Sequence, residues 1–235
     1  MNIFSLVVAR EGSKAIKNKT LQDINGKYLF EYSVEYSLGL AKKLNAEVLT
    51  AVSSDLEVIE KYCLDRNILF IERRPELALD TTKIEDVIFD AYEKAGKGYK
   101  YISLLYSNIP TRYPDEFMKA FDFLEKNPDY DAALSMQNAE KHNPGWMFEL
   151  NDDMIPRKEE QGYRRQDLKQ CMFHDGHTVL LRSGYFIDVM KKRGSAANRI
   201  MFEAFGRKIK PILNNRVMID IDTEKDLELA KGYLR

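Results

Sequence analysis

The chain is poor in cysteine: its 235 residues include only Cys63 and Cys171. Two thiols are too few for a disulfide framework or a cysteine-bound zinc cluster, and a reducing compartment is the simplest setting. An excess of charge is also missing. Lys and Arg number 36 against 37 Asp and Glu, a formal net charge of −1. That balance excludes a polycationic nucleic-acid binder whose affinity rests on bulk charge. No apolar run approaches the roughly 20 residues of a membrane helix. Met1 to Arg10 carries no basic leader, and its apolar stretch is too short for a signal core with a cleavage site. These absences predict a soluble, cytoplasmic globular protein that works with neither membrane nor nucleic acid. Repeats, low-complexity tracts and linkers are absent too, so 1–235 reads as a single domain. That length supports a sizeable core without covalent staples.

Several catalytic signatures are missing as well. The loop after the first strand matches neither the Walker P-loop nor G-x-G-x-x-G, which disfavours a P-loop NTPase or a dinucleotide fold. Without G-x-S-x-G, acyl transfer by a serine triad has no support.

What is present is an alternation of two hydrophobic periods. Ile3 to Ala9 is a continuous apolar run, as in a strand buried on both faces. Phe30, Val34, Leu38, Ala41 and Leu44 then recur at helical spacing. Strand-like runs at 48–52, 68–71, 101–106 and 132–136 alternate with helical stripes. These carry Ile59 and Cys63, then Ile84, Val87, Ile88, Ala91 and Ala95, then Phe117, Phe121 and Leu124. Ser54-Asp55-Leu56-Glu57 has the form of a capping box, and Pro114 suits a first helical turn. The alternation predicts βαβ units, an α/β fold with a mostly parallel sheet and helices on both faces. Ligands of such sheets bind beyond the carboxyl ends of the strands.

The pattern breaks near residue 138. The stretch 138–182 is polar, holds the lone Trp146 and has short β-like pieces at 146–150 and 178–182. It reads either as a small β-containing insertion, used as a lid or dimer contact, or as a long surface loop. The alternation resumes with Val217 to Ile221 and a last helix, Thr223 to Leu234.

Four constellations can carry chemistry. Arg10, Lys14, Lys17 and Lys19 lie within ten residues, directly after the first strand. Gly12 leaves backbone amides free to face an anion, Arg clamps phosphate bidentately and Lys acts as a point charge. A solvated basic loop has the same composition. Near the far end, Asp220 and Asp222 are two apart, on one side of a strand, and form a carboxylate pair suited to Mg²⁺. Asp222 or Thr223 is equally placed to cap the last helix. Third, Arg164, Arg165 and Gln166 in the polar stretch can reach an anionic substrate, or simply be solvated. Fourth, in His174-Asp175-Gly176-His177 a turn with ordinary polar histidines is favoured over a metal or proton-transfer site.

In order along the chain, these pieces resemble the acylneuraminate cytidylyltransferase family, the CMP-sialic acid synthetases, with the CMP-Kdo synthetases as relatives. The carriers are Ala9-Arg10-Glu11-Gly12-Ser13-Lys14-Ala15-Ile16-Lys17-Asn18-Lys19, Arg73-Arg74-Pro75-Glu76-Leu77-Ala78-Leu79-Asp80-Thr81, Arg164 to Asp167, and Ile219 to Glu224. The resemblance implies a Rossmann-like three-layer α/β/α nucleotidyltransferase fold, dimeric, with the insertion reaching into the partner subunit. It implies Mg²⁺-dependent transfer of CMP from CTP to an acidic, sialic acid-like sugar, with release of pyrophosphate. On that reading Ala9, Arg10, Gly12, Ser13, Lys19 and Arg73 bind the nucleotide, with Arg73 near the base. Tyr106, Arg164, Arg165 and Gln166 meet the acceptor. Arg10, Lys19 and Arg165 carry catalysis, and Asp220 and Asp222 hold the metal.

The chain also departs from the family. Lys17 and Thr20 stand where Pro and Asn are usual, and Lys83 and Ile84 where small hydroxyl residues are common. The strand end Leu-Gln-Pro-Thr-Ser-Pro becomes Leu105-Tyr106-Ser107-Asn108-Ile109-Pro110. These changes fall on the parts that select base and acceptor, so another nucleoside triphosphate or acceptor stays open. A metal-dependent sugar transferase and a non-catalytic nucleotide-binding protein are the alternatives.

Overall fold

A computed structural model describes residues 2–12, 15–44, 46–96, 98–149, 155–156, 164–193 and 203–235. Its centre is a seven-stranded sheet: β1 (Asn2–Val8), β2 (Glu47–Ser54), β3 (Leu69–Glu72), β4 (Tyr101–Tyr106), β5 (Ala132–Asn138), β6 (Met172–Arg182) and β7 (Ile209–Leu213). The strand order is 3-2-1-4-6-5-7. All neighbours are parallel except β6, which runs antiparallel to β4 and β5.

The helices follow from the burial of alternate strand residues. Ile3 and Val7 of β1 face α1 (Leu29–Leu44), α2 (Glu57–Asp65) and α4 (Pro114–Lys126), through Phe30, Val34, Leu40, Ile59, Phe117 and Leu124. Phe4, Leu6 and Val8 face the opposite layer, α3 (Ile84–Ala95) and α5 (Ser183–Arg193), through Val87, Ile88, Phe186 and Met190. A strand covered on both sides has no polar face, which explains the unbroken apolar run. The three-layer α/β/α fold is therefore as the sequence predicts.

Four local expectations are corrected. Leu38 is exposed on α1, and Ser33 and Ser37 turn inward instead; the Ser37 hydroxyl meets Ser5 and Thr50 at 2.7 and 2.8 Å between helix and sheet. No capping box forms at Ser54, whose hydroxyl ends β2 and accepts from the Leu56 amide at 3.2 Å. Residues 178–182 belong to no insertion: as part of β6 they lie between β4 and β5, so the excursion runs from the end of β5 to the start of β6. Val217 to Ile221 is not a strand. The seventh strand is β7, earlier in the chain, with α5 before it, and neither stood out as a period in the sequence.

The segment 217–222 is nonetheless extended, and it is tied to a loop rather than to the sheet. Ile219 N donates to Thr111 Oγ1 and Ile221 N to the Asn108 carbonyl. Ile219 and Ile221 are buried with Ile16, Ile24, Leu29, Leu227 and Ala230 in a small satellite core. That cluster fastens α6 (Glu224–Tyr233) and the segment before it onto the loop after β1. The carboxylates between and after the two isoleucines are left at the surface.

Candidate active site

The chain leaves β1 toward one edge and β4 toward the other, so the sheet's switch point lies between their carboxyl ends. Open α/β sheets bind ligands at such a point. A cleft of about 560 Å³ opens there, lined by Arg10, Gly12, Lys19, Arg73, Asn108 and Asp222 among others. Segments far apart in sequence thus converge as the cationic loop and the aspartate pair required.

All but one of the nucleotide-side residues are described. Arg10 donates to the Ala78 carbonyl at 3.0 Å and to Asp80 Oδ1 at 2.6 Å, across the cleft. Gly12 needs no left-handed backbone; a Cβ there would lie 3.1 Å from Arg10 Nη1, so the guanidinium would have to give by a few tenths of an ångström. Lys19 Nζ donates to Asp222 Oδ1 at 2.9 Å. Arg73 is buried, with Nε and Nη2 on the hydroxyl and carbonyl of Ser53, and lost hydration lowers its pKa to about 10. Ala9 contributes no surface: it is 1% exposed, and its amide is pinned to the Ser53 carbonyl at 3.0 Å. It supports the loop from below. Ser13 lies outside the described residues.

The two aspartates stand at the mouth, and the structure divides the work that the sequence left open between Asp222 and Thr223. Thr223 caps α6 in a reciprocal capping box with Asp226, and Asp222 is left to face Lys19. Asp220 accepts from Asn108 Nδ2 at 2.5 Å. Lost hydration, then the neighbouring Asp222 carboxylate, raises the Asp220 carboxyl to about 6. A carboxylate raised by a neighbouring one is relieved by a cation, and a pair of carboxylates completed by substrate phosphate oxygens is a usual Mg²⁺ donor set. The residues fit the ion on that chemistry. Among the described residues no group of three or more His, Cys, Asp or Glu forms a closed metal cage.

A second pocket, about 470 Å³, adjoins the first and shares Tyr106 and Asn108 with it; Gln137, His174, Gly176 and Asp220 are among its other walls. Asp222 lines the first cavity and Asp220 the second, so the pair straddles their junction. Burial, then Glu85 and Asp220, raises the Tyr106 phenol well above its ordinary value, which keeps it protonated.

His174 to His177 is not a turn with ordinary polar histidines. It is a bulge inside β6, where the register shifts between His174 and Val179. Gly176 holds φ +69°, and a Cβ there would sit 2.6 Å from Ile109 Cδ1. His177 is fully buried. Its Nε2 accepts from the Tyr113 amide at 2.7 Å and its Nδ1 pairs with Thr178 Oγ1 at 2.8 Å. Burial, helped by Arg112 and Arg216, depresses the ring to about 3, so it stays neutral. Asp175 accepts from Asn214 Nδ2 at 2.7 Å, the His177 amide at 3.1 Å and Ser135 Oγ.

Of the polar excursion, the described Arg164 and Gln166 side chains do not line the cleft. Arg164 is exposed and pairs with Asp167 at 3.0 Å. Gln166 lines a separate cavity of about 460 Å³ with Asn138, Glu140 and Cys171. Arg165 falls in a short 3-10 turn, and its side chain lies outside the described residues. Sequence reasoning missed Asn108, whose only signal was a polar residue two places past a buried strand. It also missed Asp80 as Arg10's partner and the whole Arg112–His177 network, for which no local signal exists.

The sheet order and the cleft at its switch point define the Rossmann-like nucleotidyltransferase class of folds. Residues 4–187 match the family model described as cytidylyltransferase, and the chain belongs to that family. It is 27% identical over its full length to an N-acylneuraminate cytidylyltransferase of Streptococcus agalactiae, of which it spans only 54%. It is 24% identical over 98% of its length to a pseudaminic acid cytidylyltransferase of Campylobacter jejuni, covering 95% of that protein. A solved CMP:2-keto-3-deoxy-manno-octonic acid synthetase, complexed with CTP, shares the fold over the whole chain at a TM-score of 0.72 and 16% identity, with 98% of that chain covered. No helix among the described residues is long and apolar enough to cross a membrane.

Proposed function

We propose that the chain transfers CMP from CTP to a hydroxyl of an acidic, sialic acid-like sugar, with Mg²⁺, releasing pyrophosphate. One observation carries this reading: Lys19, Asp222 and Asp220 meet at the junction of two cavities, one whose walls include Arg10, Lys19 and Arg73 and one whose described walls hold no Lys or Arg. The cationic cleft suits a triphosphate and the adjoining pocket suits an acceptor, so the α-phosphate would sit at the aspartates. The family and its named relatives supply the cytosine and the acidic sugar.

The residues divide the work as follows. Arg10 and Lys19 exchange their carboxylate partners for phosphate oxygens and neutralise the charge that grows on the leaving pyrophosphate. Arg73, fixed on Ser53, borders the nucleotide. Tyr106 and Asn108 position the acceptor hydroxyl for attack. Asp220 and Asp222 would hold Mg²⁺, which supplies Lewis-acid stabilisation of the phosphate oxygens when bound. Arg164 and Gln166 line neither cavity. Trp146, Met147, Met172 and Phe173 are exposed near that excursion, which supports its use as a contact between two copies.

The test is a pyrophosphate-release screen of the four ribonucleoside triphosphates against several nonulosonic and ulosonic acids, with Mg²⁺ and with EDTA. CTP with one acid, abolished by EDTA, is the expected result. Absence of pyrophosphate release with every triphosphate and acid pair would defeat the proposal.

A further inference from the structure

The reading above leaves one buried charge without a task. Arg112 follows the loop that leaves β4. One Nη donates to the Tyr106 carbonyl at 2.6 Å and to Ser33 Oγ at 3.2 Å; the other donates to the His177 carbonyl at 2.6 Å. The guanidinium lies 5.7 Å from the centre of the Tyr36 ring, and its Nε has no hydrogen-bond partner. No carboxylate hydrogen-bonds it among the described residues; Asp175 and Asp220 act on it only through space. Burial pulls its pKa down to about 10. A cation taken out of water with no counter-ion costs stability, and two facts show what this one does.

The first is geometric. Tyr106 begins the turn that carries Asn108 and Ile109, one wall of the second pocket, and His177 closes the β6 bulge that carries His174 and Gly176, the other wall. The guanidinium fork takes one carbonyl from each. Ser33 Oγ also donates to the Tyr106 carbonyl at 3.0 Å and closes the bracket. A point-charge ammonium lacks that planar, two-sided reach.

The second is electrostatic. The described lining of the pocket contains no Lys or Arg, and its two carboxylates are Asp220 and Asp175, the latter held by three donors. Yet the Arg112 charge favours the ionised form of Tyr106 and opposes protonation of His177. Its positive potential therefore reaches the pocket from behind the wall, where low polarity preserves it.

We propose that Arg112 is a positioning residue of the acceptor pocket: its fork sets the spacing of the two walls, and its charge holds an anionic acceptor without touching it. The proposal rests on the CMP-transfer reading for its assay. It assigns the acceptor pocket, not the triphosphate cleft, to this residue.

Arg112→Lys keeps the charge and loses the fork, whereas Arg112→Gln keeps partial hydrogen bonding and loses the charge. In pyrophosphate release, both should leave the KM for CTP within about twofold and raise the KM for the sugar acid about tenfold or more, the Gln variant further. The Gln variant should also lose the preference for the acid over its carboxamide, which a merely structural role would not change. Equal rises in both KM values, or acceptor KM and acid preference as in the parent, would overturn the proposal. Should neither variant fold, Ser33→Ala removes the bracing hydroxyl. It should raise only the acceptor KM, by about two- to fivefold, and no selective rise counts against Arg112. Silence of the parent protein with every acceptor would sink the transfer reading alone. Calorimetric binding of N-acetylneuraminate to the parent, lost in Arg112→Gln or unchanged in it, then decides Arg112 by itself.

Discussion

On the two sides of the Asp220–Asp222 pair the protein handles charge in opposite ways. Toward the nucleotide cleft, cations are partly open to solvent and paired with carboxylates: Arg10 with Asp80, Lys19 with Asp222. Toward the acceptor pocket, polar groups are buried and locked into a network: Arg112 on two carbonyls, His177 neutral between Tyr113 and Thr178, Asp175 on three donors. Exposed ion pairs are worth about 0–1 kcal/mol, so their partners exchange at little cost. A buried network is costly to disturb and therefore rigid. A highly charged, flexible triphosphate is met by exchangeable partners, and a choice among similar sugars is made by walls that do not move.

The comparison breaks first at Asp222. Its side chain is 68% exposed and, among the described residues, pairs with Lys19 alone, at 2.9 Å. Asp222→Asn should leave the melting temperature nearly unchanged, because an exposed pair contributes at most about 1 kcal/mol. Turnover should fall about 10²–10³-fold, the usual loss when one well-placed electrostatic group leaves. Thermal melting and initial rates on the same preparation check both halves. Full turnover in the variant would turn the cleft's charges into ordinary surface charges, and the contrast would vanish.

Gly176 tests the rigid side. Any side chain there must adopt a left-handed backbone at φ +69° and meet Ile109 Cδ1 at 2.6 Å. Gly176→Ala should cost about 1–2 kcal/mol from backbone strain alone, readable by denaturant unfolding. It pushes on the loop that carries Asn108, so the acceptor KM should rise while the KM for CTP stays put. A rise in the CTP value of the same size would show that the two cavities move as one.

The same contrast decides how much was legible in the sequence. The nucleotide side is written locally: Arg10 to Lys19 is one loop, and the run Ile3 to Val8 that places it is a buried strand. Ile219-Asp220-Ile221-Asp222 kept its period of two, so the aspartates faced the surface as expected, even though the segment bonds to a loop and not to the sheet. The acceptor side is written in no single stretch. Ser33, Tyr106, Arg112, Ser135, His177 and Asn214 meet only because β6 inserts antiparallel between β4 and β5. Nothing in a one-dimensional pattern announces that insertion. Residues 178–182 read as the tail of an excursion because β6 starts with exposed Met172 and Phe173 and bulges before its buried half. β7 was overlooked for a related reason: it is a short edge strand carrying Pro211, and only Ile212 of its five residues is buried. Pro is tolerated at a sheet edge and weakens any strand reading.

The smallest expected effect sharpens the comparison at the boundary itself. Thr223 and Asp222 are adjacent, and from the sequence either one could cap α6. The structure gives the cap to Thr223, which accepts from the Asp226 amide while Asp226 accepts from the Thr223 amide at 2.7 Å. Thr223→Ala should therefore cost about 1 kcal/mol of stability, the usual price of a lost N-cap. Turnover should stay close to that of the parent, because Ile219 and Ile221 remain buried in the satellite core and keep the aspartates in place. Urea unfolding with parallel rate measurements separates the two effects. A large loss of turnover at wild-type stability would mean that the cap, not the isoleucine pair, sets where Asp222 stands, and the site would owe its geometry to the helix rather than to the loop after β1.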